Sequence, residues 1–131
     1  AASIATINKL KKKDYSHIWK LGDMFSAGMY KLARNHKLKI NFAGSGPRHN
    51  LTFSSEYENA SLMKDVFYQE MCKQGILFSN VLYISFAHTV EDIEQTIAAA
   101  DNAFQFINNN INNLDSVLEG KQSISVFRKN T

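Results

Sequence analysis

Ser85 and His88 stand in the stretch ISFAHTVEDI, residues 84–93, where a short apolar run stops and a helical pattern starts at once. A histidine at such a junction can do two kinds of work. Its ring nitrogens can tie down the turn, or the ring can face a pocket, because functional residues concentrate in loops held by a rigid frame. The residues alone leave both open. The other histidines, His17, His36 and His49, show no metal-ligand spacing. His17 and His36 fall on helix surfaces or ends, where a solvated ring is expected. Glu56 and Glu58 fall in a loop, and helix capping and solvation account for Glu91, Asp92 and Glu94. No Ser-His-Asp or Cys-His set stands out. Gly44-Ser45-Gly46 lacks both the strand-GxGxxG-helix context and the lysine of a phosphate loop, so it reads as a turn. Arg48 and His49 follow it and are candidates for an anion contact, since arginine presents a fork of donors. The lone cysteine, Cys72, sits beside Met71 in an amphipathic pattern and reads as a buried or half-buried reduced thiol. On residues alone there is no self-contained catalytic site.

The elements that would hold these residues can be read from periodicity. Residues 3 to 13 form a short helix or the end of a longer one. Asp14 is placed to cap the next, in which Ile18, Leu21, Phe25, Gly28 and Leu32 recur at three and four spacing. Leu38, Ile40 and Phe42 alternate with polar residues as a half-buried strand. GSGPR, residues 44–48, reads as a loop, and Leu51 and Phe53 as a second strand. Asn59 or Ser61 can cap a helix carrying Leu62, Val66, Phe67 and Met71, with Gly75 in the C-cap position. Ile76 to Phe78 and Leu82 to Phe86 read as two more strands. Thr89-x-x-Asp92 then opens a long helix whose seam is Ile93, Ile97, Ala100, Phe104, Ile107, Ile111 and Leu114. The spacing carries that helix through the asparagine run 108–113, frayed by weak helix formers, to Gly120. Ile124 to Phe127 is a further edge strand or docked tail. This order predicts an α+β two-layer sandwich: a small, mostly antiparallel sheet covered by helices, with a long C-terminal helix.

Composition narrows the function. The 131 residues are 44% hydrophobic and carry a net charge of +3, enough apolar material for one core and too little basic density for a dedicated nucleic-acid binder. The basic run Lys9, Lys11, Lys12 and Lys13 reads as a solvated face. No apolar run approaches the ~20 residues of a membrane span, and no signal segment opens the chain. A reducing cytoplasmic setting is the expectation. The chain starts without methionine and already in helical spacing, with Ile4, Ile7 and Leu10, so a fragment of a longer protein is expected.

QEMCKQGILFSNVLYISFAHTVEDIEQTIAAADNAF, residues 69–104, resembles the C-terminal small domain of class-III aminotransferases of pyridoxal-phosphate fold type I, in the glutamate-1-semialdehyde aminomutase branch. The matching features are Gly75 after a helix, the short strand Ile76 to Phe78, and Ser85-Phe86-Ala87-His88-Thr89 with Asp92-Ile93. SIATINKLKKKDYSHIWKLGDMFSAGMYKLA resembles the helix leaving the large domain and the first helix of the small one. GPRHNLTF resembles the strand lead-in of aminomutase-like enzymes from surface-polysaccharide pathways, and Val126 to Lys129 their C-terminus.

The resemblance implies that residues 1–13 end a connecting helix from a large domain and that 14–131 form the small domain. It implies pyridoxal phosphate in the full-length protein and none held by this segment. The cofactor lysine and the acidic partner of its ring nitrogen would lie in the large domain. It further implies a homodimer when full length and a small amino or keto substrate. Ser79, Asn80, Ser85 and His88 are expected near that substrate, with Arg48 a further candidate for anion contact. Many class-III aminotransferases carry a carboxylate-gripping arginine where Ser85 stands. The short loop Ser79-Asn80-Val81 lacks the acidic residue usual in aminomutases. A rival expectation from another class is a free-standing interaction domain that uses the helix 93–114 as its partner face.

Overall fold

An antiparallel hairpin and the helices laid on one of its faces organise the chain. The computed structural model describes residues 2–79 and 81–124. In order these form α1 (Ala2–Leu10), α2 (Ser16–Asn35), β1 (Ile40–Ser45), β2 (Arg48–Phe53), α3 (Ala60–Lys73), β3 (Val81–Tyr83), α4 (Val90–Asn109) and α5 (Leu114–Val117). The fold class is α+β.

The three strands pair antiparallel in the order β1-β2-β3. Side chains alternate across a strand. Phe42, His49, Leu51 and Phe53 are therefore buried under the helices, while Asn41, Ala43, Arg48, Thr52 and Tyr83 are exposed on the other face. Helices α2 and α3 lie on the sheet, and α4 packs against both. Phe67 of α3 stands at the centre, with ring centroids 5.1 Å from Phe78, 5.2 Å from Phe104 and 6.2 Å from Phe53.

The helix faces follow the sequence spacing. Ile18, Leu21, Phe25, Met29 and Leu32 bury the inner face of α2. Asp14 serves its start from two residues before the helix: its carboxylate accepts the Ser16 N–H at 2.9 Å and the Ser16 hydroxyl at 2.5 Å. Both bonds hold the Asp14 carboxyl below its ordinary range. Gly22 is required by a close approach. A Cβ there would collide with the carbonyl oxygen of Gly46, so α2 rests directly on the β1–β2 turn. In contrast, α1 has no buried residue and leaves Ile4 and Ile7 exposed.

Several expectations are corrected. The loop expected at 44–48 shrinks to Gly46-Pro47, because Ser45 pairs with Arg48 and closes a two-residue hairpin in which Gly46 takes φ +52°. Arg48 thus begins a strand. Ile76 to Phe78 is not a strand, since no described segment pairs with it. The last strand is only Val81–Tyr83, after which the chain turns. Helix α4 ends at Asn109. Asn110 then bonds its side chain back to the Phe106 carbonyl, as asparagine does where it competes with helical bonding. Leu114 still reaches the core, but from α5, and Ile111 stays exposed. Cys72 is exposed rather than buried, because its neighbour Met71 takes the inward face of α3. The seam of α4 is core: Ile93, Ala100, Phe104 and Ile107 are buried inside this chain and offer no free partner face. The expected strand or tail beyond Ile124 lies outside the described residues. Among the described residues no helix is long and apolar enough to cross a membrane.

Candidate functional site

The turn that carries His88 meets α2, β3 and the segment after α3 at one end of the sheet. Together they enclose an open cleft of about 510 Å³. Its floor is apolar, built by Phe25, Ile76, Phe78, Leu82, Ile84 and Ile93. Its polar rim includes Ser79, Tyr83, His88, Asp92, Gln95 and Thr96. Among the described residues no lysine or arginine lines it.

The backbone N–H of Ser85 donates to His88 Nδ1 at 2.9 Å, so that nitrogen is the acceptor of the neutral ring. Nε2 then carries the proton. The Ser85 hydroxyl lies 3.1 Å from the same Nδ1 and also accepts the Ala87 N–H at 3.3 Å. His17, at the start of α2, donates from Nε2 to the His88 carbonyl at 3.1 Å. One residue on, Thr89 and Asp92 form the capping box read from the sequence. The Thr89 hydroxyl accepts the Asp92 N–H at 3.2 Å, and the Asp92 carboxylate accepts the Thr89 N–H at 2.8 Å. The two bonds from Thr89 hold the Asp92 carboxyl below its ordinary range, with a smaller contribution from His88.

This arrangement ties the turn and still presents His88 to the cleft. It is not a nucleophile–base pair, because the Ser85 hydroxyl shares its nitrogen with a backbone N–H. Ser79 lines the cleft and donates to the Val81 carbonyl at 2.7 Å. Ser85 stands behind His88 rather than in the lining. Asn80 lies outside the described residues.

Arg48 is on the opposite face of the sheet, with its guanidinium carbon 5.9 Å from the Tyr83 ring centroid. His49, its neighbour, points into the core and stacks on Phe42 at 4.6 Å, so one anion cannot meet both. Both ring nitrogens of His49 are buried without a partner among the described residues.

Sequence reasoning missed His17, expected to be solvated, and Tyr83, Gln95 and Thr96. No local signal marks them; only the fold brings them to the cleft. His36, also expected to be solvated, pairs with Asp101 at 2.5 Å. Among the described residues no group of three or more His, Cys, Asp or Glu is placed to hold a metal ion.

Known proteins share this segment. The chain is 35% identical over 120 residues to a glutamate-1-semialdehyde 2,1-aminomutase of Staphylococcus carnosus, which covers 79% of the chain and 27% of that protein. It is 33% identical over 119 residues to one from Bacillus velezensis, covering 81% of the chain and 28% of the relative. The chain is a homologue of the C-terminal small domain of class-III aminotransferases. It spans about a quarter of the length of these relatives. The FumI protein of Sphingopyxis sp. MTA144, solved in its PLP internal aldimine form, superposes with a TM-score of 0.76 at 21% identity, over 86% of this chain and 27% of that one. At that identity the likeness is one of fold. No family model matches the sequence.

The cleft of this small domain does not itself fit pyridoxal phosphate. A Schiff base needs a lysine and a phosphate needs cations or free helix N-terminal amides. Among the described residues the cleft has no lysine or arginine, and Thr89 and Asp92 already cap the N-terminus of α4.

Proposed function

We propose that this chain acts as the small domain of a pyridoxal-phosphate-dependent aminotransferase or aminomutase, covering the active site and shaping its substrate pocket. The 35% identity to the Staphylococcus carnosus aminomutase carries this reading. The cofactor, its lysine and the acidic partner of its ring then belong to a large domain of the same polypeptide. Residues 1–13 lead in from that domain, and 14–131 form the small one. The cofactor supplies the electron sink for the reaction. The residues of this chain bind and orient.

In this reading His88 presents Nε2–H to a small amino or keto substrate, Ser85 and His17 hold His88 in place, and Ser79 borders the pocket. Asn80 joins them by its place beside Ser79. Arg48 meets an anion on the neighbouring sheet face. The whole enzyme is a cytoplasmic homodimer.

The test is the native gene product. An antibody against this domain should detect a band several-fold larger than the 14.8 kDa of this chain in lysate of the source cell. The purified product should show the visible absorbance of lysine-bound pyridoxal phosphate. A band at 14.8 kDa, or a large product without that absorbance, overturns the reading.

A further inference from the structure

We propose that Tyr15 and Phe86 are positioning residues for His88, fixing where the turn around it lies against α2. The inference rests on the reading in which His88 presents Nε2–H to a substrate, and it adds the contacts that aim that N–H.

Two sets of contacts act on His88. The first lies inside its turn. The His88 N–H donates to the Ser85 carbonyl at 3.2 Å, and the Ser85 N–H donates to His88 Nδ1. These bonds set the ring relative to the turn, but not the place of the turn itself. Phe86 and Ala87 are the two central residues of this four-residue reversal. Ala87 and His88 line the cleft. Phe86 meets Tyr15, with ring centroids 5.2 Å apart and planes at 72°. Two rings favour this edge-to-face arrangement, because the positive edge of one meets the negative face of the other.

The second set ties the turn to the start of α2. His17 donates to the His88 carbonyl at 3.1 Å, and Tyr15 packs on Phe86. Lys13 places its ammonium 5.7 Å from the Phe86 ring centroid, within the reach of about 6 Å for a cation over a ring. Anchored at the His88 carbonyl alone, the turn could swing about that one bond. A second contact at Phe86 removes that freedom.

The residue type at position 15 supports this role. Tyr15 occupies the N-cap of α2, where Ser, Thr, Asp or Asn is preferred, and its side chain makes no capping bond. Asp14 supplies the carboxylate that accepts the Ser16 N–H. The N-cap position is thereby left to an aromatic ring whose partner is Phe86. In the proposed domain division Lys13 ends the lead-in from the large domain, so that lead-in ends on the ring at the corner of the His88 turn.

The experiment is NMR of the uniformly ¹⁵N-labelled chain at about pH 8, above the ordinary histidine range. Tyr15→Ala, Tyr15→Phe, Phe86→Leu and Tyr30→Ala are compared with the parent. In Tyr15→Ala and Phe86→Leu the His88 ring nitrogens should leave the Nε2–H pattern for the average of two tautomers. Exchange of the Ser85 amide should rise about fivefold in both, the loss of one ring pair. Tyr15→Phe should restore both readings, since the ring and not the hydroxyl makes the contact. Tyr30→Ala is the control: Tyr30 is as exposed as Tyr15, at 44%, and meets Phe42 from the second half of α2. Its loss should leave the His88 signals unmoved. The amide spectrum shows which variants stay folded. Phe86→Leu keeps bulk at the corner and decides the matter if Tyr15→Ala does not fold. Parental His88 signals in the folded ring-removing variants, no rescue by Tyr15→Phe, or an equal effect of Tyr30→Ala would overturn the inference. Any of these sinks this inference alone, whereas a 14.8 kDa gene product sinks the enzyme reading.

Discussion

Ser85 donates its backbone N–H to Nδ1 of His88 across a turn of three residues, at 2.9 Å. That bond decides which nitrogen of His88 faces outward. A ring protonated on both nitrogens cannot accept it. Nitrogen NMR should therefore find neutral His88 as the Nε2–H tautomer. In His88→Ala the Ser85 amide loses its acceptor, and its hydrogen exchange should rise well above that of the parent. The loss of this one bond should cost about 1 kcal/mol. Unchanged Ser85 exchange would show that the bond does not hold the turn.

Asp92 gives a pH dependence of known sign. Its folded pKa is lowered, chiefly by the Thr89 N–H and then by the Thr89 hydroxyl. Such a carboxylate contributes stability that is fully present above its unfolded value of about 3.9. That stability is lost as pH falls through the folded value. Urea unfolding should therefore show Asp92→Asn less stable than the parent at neutral pH, with the gap closing as pH falls below the ordinary carboxylate range. A gap that persists in acid would mean the carboxylate charge is not the cause.

Gly22→Ala should be disruptive. The added carbon meets the Gly46 carbonyl, which is backbone within a closed hairpin and cannot swing aside like a side chain. A loss of about 1–3 kcal/mol is expected, the usual range for overpacking. Thermal unfolding measures it. The hairpin amides from Ser45 to Arg48 should shift in the same variant, and a neutral substitution would mean α2 stands off from the turn.

His49→Phe should stabilise the fold. Its ring already stacks on Phe42, and its two nitrogens are buried without partners among the described residues. Removing them relieves a desolvation cost of about 1 kcal/mol or more while the stack is kept. A lower urea midpoint for the variant would show that those nitrogens have partners in solution, such as an ordered water.

The sequence by itself determined the helix faces, because burying one side of a helix imposes spacing of three and four that Ile18 to Leu32 and Ile93 to Ile107 display openly. It determined the start of α4, since Thr89 and Asp92 make their bonds within one turn. The α+β class was legible in the order of helical and strand patterns along the chain, and the likeness to the aminotransferase small domain in the residues from Gln69 to Phe104. Strand limits were not: Arg48 joins a strand because Ser45 pairs with it, and Ile76 to Phe78 does not because no described segment does. Pairing depends on a partner distant in the chain, which no local pattern reports. The same holds for the site. That His17 grips the His88 carbonyl from 71 residues away is a tertiary fact. So are the separation of Arg48 from His49 onto opposite faces and the meeting of Arg48 with Tyr83. Residue types set what each group can do, and the packing of α2 on the hairpin decides which groups meet.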